Sequence, residues 1–171
     1  MAVKGLKQTS SVVSIGFDIT ETAPATFTQT SVDLNLSPLD REVFVVLAVN
    51  IDPFFPDAIA TVNTATNCAV TSTSQDQMPT LGDSNCLAKA NASIRASGFV
   101  DGGVSFIQAS LDSPPSTLDY IGIIATSDFF VQVEGTGNTT GKGASGKVYG
   151  YRAVASADIY AALVQSEVLS A

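Results

Sequence analysis

The chain alternates short apolar runs with polar or Pro/Gly-rich breaks, and most runs carry the two-residue period of a half-buried strand. Val13, Ile15 and Phe17 face one way, with Ser14, Gly16 and Asp18 between them. A second strand is expected over Ala25–Leu36, with a change of phase near Gln29–Ser31 that a bulge or a short loop would explain. Ser37–Glu42 reads as a turn. VFVVLAVNI (Val43–Ile51) is apolar on both faces and rich in β-branched residues, which predicts a buried strand. The prolines of DPFFPD (Asp52–Asp57) end it. Ile59–Val62 is a candidate short strand, and residues 63–90 read as a long polar connection.

The second half repeats the theme. Ala90, Ala92, Ile94 and Ala96 alternate with Asn91, Ser93, Arg95 and Ser97 within Ala88–Phe99, which favours a strand over a helix. Further strands are expected at Val104–Leu111, Asp119–Thr126, Asp128–Glu134 and Lys147–Arg152, with a stiff turn at Asp112–Thr117. Gly135–Gly146 holds five glycines and is expected to be a mobile hairpin tip or an inter-subunit loop. Ile159, Tyr160, Leu163, Val164, Glu167 and Val168 fit a helical spacing, but the strand-rich context favours a closing strand over Ile159–Val168. The count is eight or nine short strands without regular strand–helix alternation. The expected class is an all-β antiparallel β-sandwich, a single jelly roll, with an immunoglobulin-like sandwich as the structural alternative. The expected organisation is an N-terminal arm over 1–16 and one sandwich domain over 17–171.

Composition narrows the chemistry. The 171 residues hold 16 acids and 8 bases, for a formal charge of -8. Nucleic-acid binding as a whole-surface property is therefore excluded, and any direct contact is limited to an arm carrying Lys4 and Lys7. The absence of His removes His-dependent acid–base and nucleophilic systems and the usual imidazole zinc site. No apolar run reaches the ~20 residues of a membrane span, although membrane contact stays open. Lys7–Ser11 interrupts the hydrophobic stretch that a signal peptide needs, so the chain is expected to begin near Met1. Cys68 and Cys86 flank a polar stretch, and either a loop-stapling disulfide or two free thiols fits.

Site chemistry is sparse. Candidates for glycoside hydrolysis include the carboxylate pairs Asp40/Glu42, Asp52/Asp57 and Asp128/Glu134, and each borders a turn or strand end where solvated acids are normal. The acid-rich stretch Asp76–Asp83 is open to calcium through carboxylates and carbonyls, but its spacing matches no EF-hand. GTGNTTGK lacks the Ser or Thr that a phosphate loop needs after its Lys. Asn91 and Asn138 head glycosylation sequons. The expectation is no enzyme, no metal and no cofactor.

Four stretches, TSVDLNLSPLDREVFVVLAVNID, DYIGIIATSDFFVQVEG, GTGNTTGKGASGKVYGYRA and YAALVQSEVL, together resemble a single-jelly-roll capsid protein of a small non-tailed virus or phage. The resemblance implies a shell wall built of strands, loops that contact neighbouring copies, and a virion location. It brings no catalytic residues, and the chain departs from members with a strongly basic arm. Expected partners are further copies of the chain and other coat proteins. The candidate contacts are Lys4, Lys7, Phe54, Phe55, Lys142 and Lys147, with the alternative for the DPFFPD corner that one phenylalanine plugs the end of the core and the other is half covered. The low share of charged residues, 14%, also suits broad subunit contacts, where each buried charge needs a partner. The rival expectation is a secreted or virion-surface carbohydrate- or receptor-binding module with a groove around Tyr120, Tyr149 and Tyr151.

Overall fold

The computed structural model describes residues 4–101, 103–109 and 118–170. Among them lie ten strands: β1 Leu6–Gln8, β2 Val13–Thr20, β3 Thr28–Asp33, β4 Glu42–Pro53, β5 Thr64–Thr71, β6 Cys86–Arg95, β7 Val104–Ala109, β8 Gly122–Ile124, β9 Asp128–Thr136 and β10 Gly143–Ala155. One helix, α1 Ala157–Leu169, follows. The expected Asp112–Thr117 turn and the end of the Val104–Leu111 segment lie outside the described residues.

Every strand pair is antiparallel. One sheet runs β2–β10–β4–β8, with β1 pairing the far end of the same β10 edge. The other runs β3–β9–β5–β6, extended by β7. Setting β1 and β7 aside, the chain changes sheet at every connection except β5 to β6. That eight-strand order is a jelly roll, a sandwich of two Greek keys. The main core lies between the sheets, where Phe44, Val46, Val49 and Val148 meet Val70, Phe129, Val131 and Val133. Phe17 and Phe129 join the layers edge to face at 6.5 Å.

β4 explains its own unbroken apolar run. Phe44 and Val46 enter the main core, while Val43 and Val45 point out the back of the sheet. There they join Ala153 and Ala155 in a second apolar cluster, against which Leu6, Ile159, Tyr160, Leu163 and Val164 pack. The expected closing strand over Ile159–Val168 is therefore corrected to a helix. Alanine, leucine, glutamine and glutamate favour helix locally. A helix also places Ile159, Leu163 and Glu167, each one turn after the last, on the face that covers Val43 and Val45.

Three further expectations are corrected. The supposed connection over 63–90 contains β5, a central strand whose Thr64, Thr66, Cys68 and Val70 are all buried. Threonine is β-branched and suits a strand despite its polarity. Ile59–Val62 is a turn closed by Val62 N–H donating to Ile59 O at 3.2 Å. β3 pairs with β9 in unbroken register from Thr28 to Asp33, without a bulge.

Candidate functional site

β10 is 13 residues long and spans about 40 Å. The surfaces expected to contact neighbours divide between its two ends. At the Gly143 end gather the connections 21–27, 54–63 and 137–142 and residues 96–101. At the Ala155 end sit β1 and α1. Gly5 takes φ +85°, its O accepts from Ser156 N–H at 3.1 Å, and a Cβ there would lie 2.1 Å from Ile159 Cδ1. Lys4 and Lys7 are exposed beside this docked segment.

The glycine-rich hairpin at the Gly143 end is pinned. Its tip is only six residues, 137–142, because β9 runs to Thr136 and β10 starts at Gly143. The buried Glu21 carboxylate accepts N–H groups from Thr26 at 3.1 Å, Gly135 at 2.6 Å and Lys142 at 2.8 Å. Asp57 accepts from Thr139 through both N–H and Oγ1 at 2.9 Å and forms an ion pair with Lys142 Nζ. The Lys142 ammonium beside Asp57 and the Thr139 donors hold that carboxyl well below the usual range. Asn138 accepts from Asp57 N–H at 2.8 Å and donates to Ala65 O at 2.8 Å. The expected mobile tip is thus stitched to the 54–63 connection. Lys142, expected at a subunit contact, is spent on an internal partner, whereas Lys147 is exposed on β10.

This stitching leaves apolar groups on the outside. Phe54 is 44% exposed and Phe55 61% exposed. Sequence reasoning found these two but missed Phe99, Val100 and Val104, at 53%, 80% and 62% exposure. Residues 96–101 come to the same end because Asn63 Oδ1 accepts from the N–H groups of Ala96 and Ser97 at 3.0 Å. The signal was the local sequence GFVDGGV, apolar residues inside a glycine turn.

Two of the three tyrosines expected to line a groove are partly buried elsewhere. Tyr120 and Tyr151 pack into the cluster beneath α1, joined by Tyr160. A concave site lies elsewhere, on the outer face of β5 and β6. It is a cavity of about 530 Å³ lined by Asn67, Lys89, Asn91, Ser93 and Arg95, with Thr80 and Leu81 of the 72–85 connection at its rim. That connection is held over the sheet. Gln75 N–H donates to Gln29 Oε1 at 2.8 Å, and the buried Gln132 Nε2 donates to Gln29 Oε1 at 2.9 Å and Thr71 Oγ1 at 2.6 Å. Both sequon asparagines are engaged. Asn138 is buried in the stitched hairpin, and Asn91 Nδ2 donates to Asn67 Oδ1.

The carboxylate pairs have structural partners or the wrong spacing. Glu42 pairs with Arg152 at 3.3 Å and accepts from Ser37 N–H, while Asp40 accepts from Ser37 Oγ at 2.8 Å. Asp57 is held by Lys142 and Thr139, and Asp52 is exposed on β4. Asp128 and Glu134 lie six residues apart on one strand, about 20 Å, beyond any glycosidase spacing. Among the described residues no group of three or more His, Cys, Asp or Glu is arranged to hold a metal. No described helix is long and apolar enough to cross a membrane. The disulfide is not formed, and both thiols are free. Cys86 sits opposite Thr71 in the β5–β6 register, three residues along β5 from Cys68. That offset is about 10 Å, past the reach of a disulfide.

No protein-family model matches the chain, and no curated protein matches it. Among solved structures, it is similar to one titled desmodium yellow mottle tymovirus, at 16% identity and a TM-score of 0.28 over 85% of this chain and 87% of that one.

Proposed function

We propose that the protein is a structural coat (capsid) protein, located in the virion, that self-assembles or co-assembles into a viral shell through its jelly-roll wall and its loop and arm contacts. The observation that carries this reading is the apolar loop end. Phe54, Phe55, Phe99, Val100 and, at the start of β7, Val104 are all exposed there, beside connections tied to one another by Asn63, Glu21 and Asp57. A rigid apolar surface loses little conformational entropy on docking, and a patch of this kind marks an interaction surface. The occupant is a second copy of this chain. The opposite end of β10 offers the arm segment, α1 and the exposed Val168 and Leu169, so one molecule presents contacts at two ends. Two different surfaces meeting head to tail close a ring or shell when the rotation closes.

Particle sizing of the untagged full chain tests this, by light scattering and negative-stain microscopy across concentration and salt. Wild type is expected to give rings, sheets or closed shells. Phe55→Ser combined with Val100→Ser is expected to leave small species with an unchanged circular-dichroism spectrum. A wild-type monomer at every concentration that also joins no particle on co-expression with other coat proteins overturns the reading.

A further inference from the structure

We propose that the groove over β5 and β6 binds a saccharide bearing a single acidic group, such as a uronic acid. This does not rest on the assembly reading, because the groove lies on a sheet face rather than at the apolar loop end. Three features of the lining carry the inference.

The first is concavity. A volume of about 530 Å³ lies within the ~300–1,000 Å³ of small-ligand sites, and the pinned 72–85 connection supplies one wall. Thr80 N–H and Oγ1 donate to Asp83 Oδ2 at 2.6 and 3.3 Å, and Lys89 Nζ donates to Pro79 O at 2.9 Å. These three bonds fix that wall before any ligand arrives.

The second is the kind of polar group. Asn67, Asn91 and Ser93 present amides and a hydroxyl from neighbouring strands, the donor–acceptor mixture that vicinal hydroxyls require. The amides are oriented in advance, since Asn91 donates to Asn67 Oδ1 and Asn67 Nδ2 donates to Glu134 O at 3.3 Å. Leu81, exposed at the rim, offers an apolar surface for the C–H face of a ring.

The third is charge. The chain carries a formal charge of -8, yet this lining contains Lys89 and Arg95 and no carboxylate. Arg95 is exposed and has no ion-pair partner among the described residues. A guanidinium engages a carboxylate through two parallel hydrogen bonds. Glu134 stands opposite Asn67 one strand away and disfavours a polyanion, which selects a singly charged ligand over a nucleic acid.

Titration calorimetry of the full chain with glucuronate, glucose and sodium sulfate at constant ionic strength tests the inference on monomers or particles alike. Glucuronate is expected to bind, with glucose about tenfold weaker, the loss of one charge-assisted contact. Arg95→Gln is expected to weaken glucuronate by about tenfold or more and leave glucose unchanged. Leu81→Asp, at an exposed rim position, places a carboxylate in the groove and is expected to abolish glucuronate binding. Sulfate binding as tightly as glucuronate would reduce the site to a simple anion site and overturn the saccharide assignment. Equal binding of glucose and glucuronate, insensitive to Arg95→Gln, would overturn the acidic group. No heat with any of the three up to about 50 mM would overturn the site, while leaving the particle-sizing result untouched.

Discussion

The Glu167 carboxylate reaches from α1 to the start of the β8–β9 turn, accepting the Ala125 N–H at 2.9 Å through one oxygen and the Thr126 N–H at 3.0 Å through the other. This contact, with the apolar face of the helix, fixes α1 over the back of β4. Burial raises the Glu167 pKa and outweighs the lowering by the two donors. The folded protein thus holds this proton more tightly than the unfolded chain. The corresponding stability is full below the unfolded-chain pKa and is lost as pH rises through the folded value. The expected outcome is a component of stability against urea that declines as pH rises above the ordinary glutamate range and is absent in Glu167→Gln. Glu167→Ala leaves two inward-facing N–H groups without an acceptor and is expected to cost about 1–3 kcal/mol for each that water cannot reach. Urea melts at a series of pH values check both.

The Asp57–Lys142 pair behaves with the opposite sign. Asp57 has its pKa depressed by Lys142 and Thr139, so its contribution is present above the unfolded-chain pKa and is lost as pH falls through the folded value. Asp57→Asn is expected to speed amide exchange at Thr139 and Gly141 while leaving the centre of β9 protected. Exchange in the variant that matches wild type across 137–142 would mean that Glu21 and Asn138 hold the hairpin without the Asp57 carboxylate.

The legibility of this fold followed hydrophobic contrast. β2, β6 and β9 were readable because buried and solvated positions alternate, as in Ala88, Ala90 and Ala92 against Lys89 and Asn91. β5 was not, because its core-facing positions are Thr64, Thr66, Cys68 and Val70, and on its outer face Ala69 and Thr71 are buried too, while Ala65 and Asn67 line the groove. A strand buried on both sides with threonine inside carries almost no apolar signal. α1 was ambiguous for a tertiary reason. Its helical spacing was visible, but the sequence does not display the outward Val43 and Val45 that need a cover. The apolar loop end was half legible, through Phe54 and Phe55. The groove was invisible, since Lys89 and Arg95 meet Thr80 and Leu81 only once the 72–85 connection folds back.

Gly146 faces Phe17 across the β2–β10 pair, and a Cβ at Gly146 would lie 2.5 Å from Phe17 Cζ and 2.3 Å from Asn50 O. The ring could shift, but the carbonyl belongs to the central strand β4. Gly146→Ala is therefore expected to destabilise by about 1–3 kcal/mol, the usual range for overpacking. Shrinking the ring with Phe17→Leu in the same chain is expected to give no rescue, because the closer clash is with backbone. Denaturant midpoints of the two single variants and the double variant decide this. Recovery in the double variant would place the strain on the ring.

The two thiols are expected to differ in reactivity and to stay apart. Cys68 is fully enclosed between the sheets, and burial pushes its thiol up to about 12. Cys86 is half-buried at the start of β6, and burial raises it as well, opposed by nearby Lys89. Thiolate is the reactive form, so at neutral pH Cys86 is expected to react slowly with an aromatic disulfide reagent and Cys68 only on unfolding. A mild oxidant is expected to yield no intrachain bridge, because the β5–β6 register separates the pair by about 10 Å of strand. Peptide mass mapping after native and denaturing labelling reads both outcomes. A Cys68–Cys86 cross-linked peptide from native protein would require β6 to slip along β5 by several residues. Because the side-chain period is two, an odd slip would turn Ala88, Ala90 and Ala92 out of the core, and an even one would leave the core filled but move Asn91 away from Asn67. Recovery of that peptide would thus overturn the register and, with it, the floor of the groove.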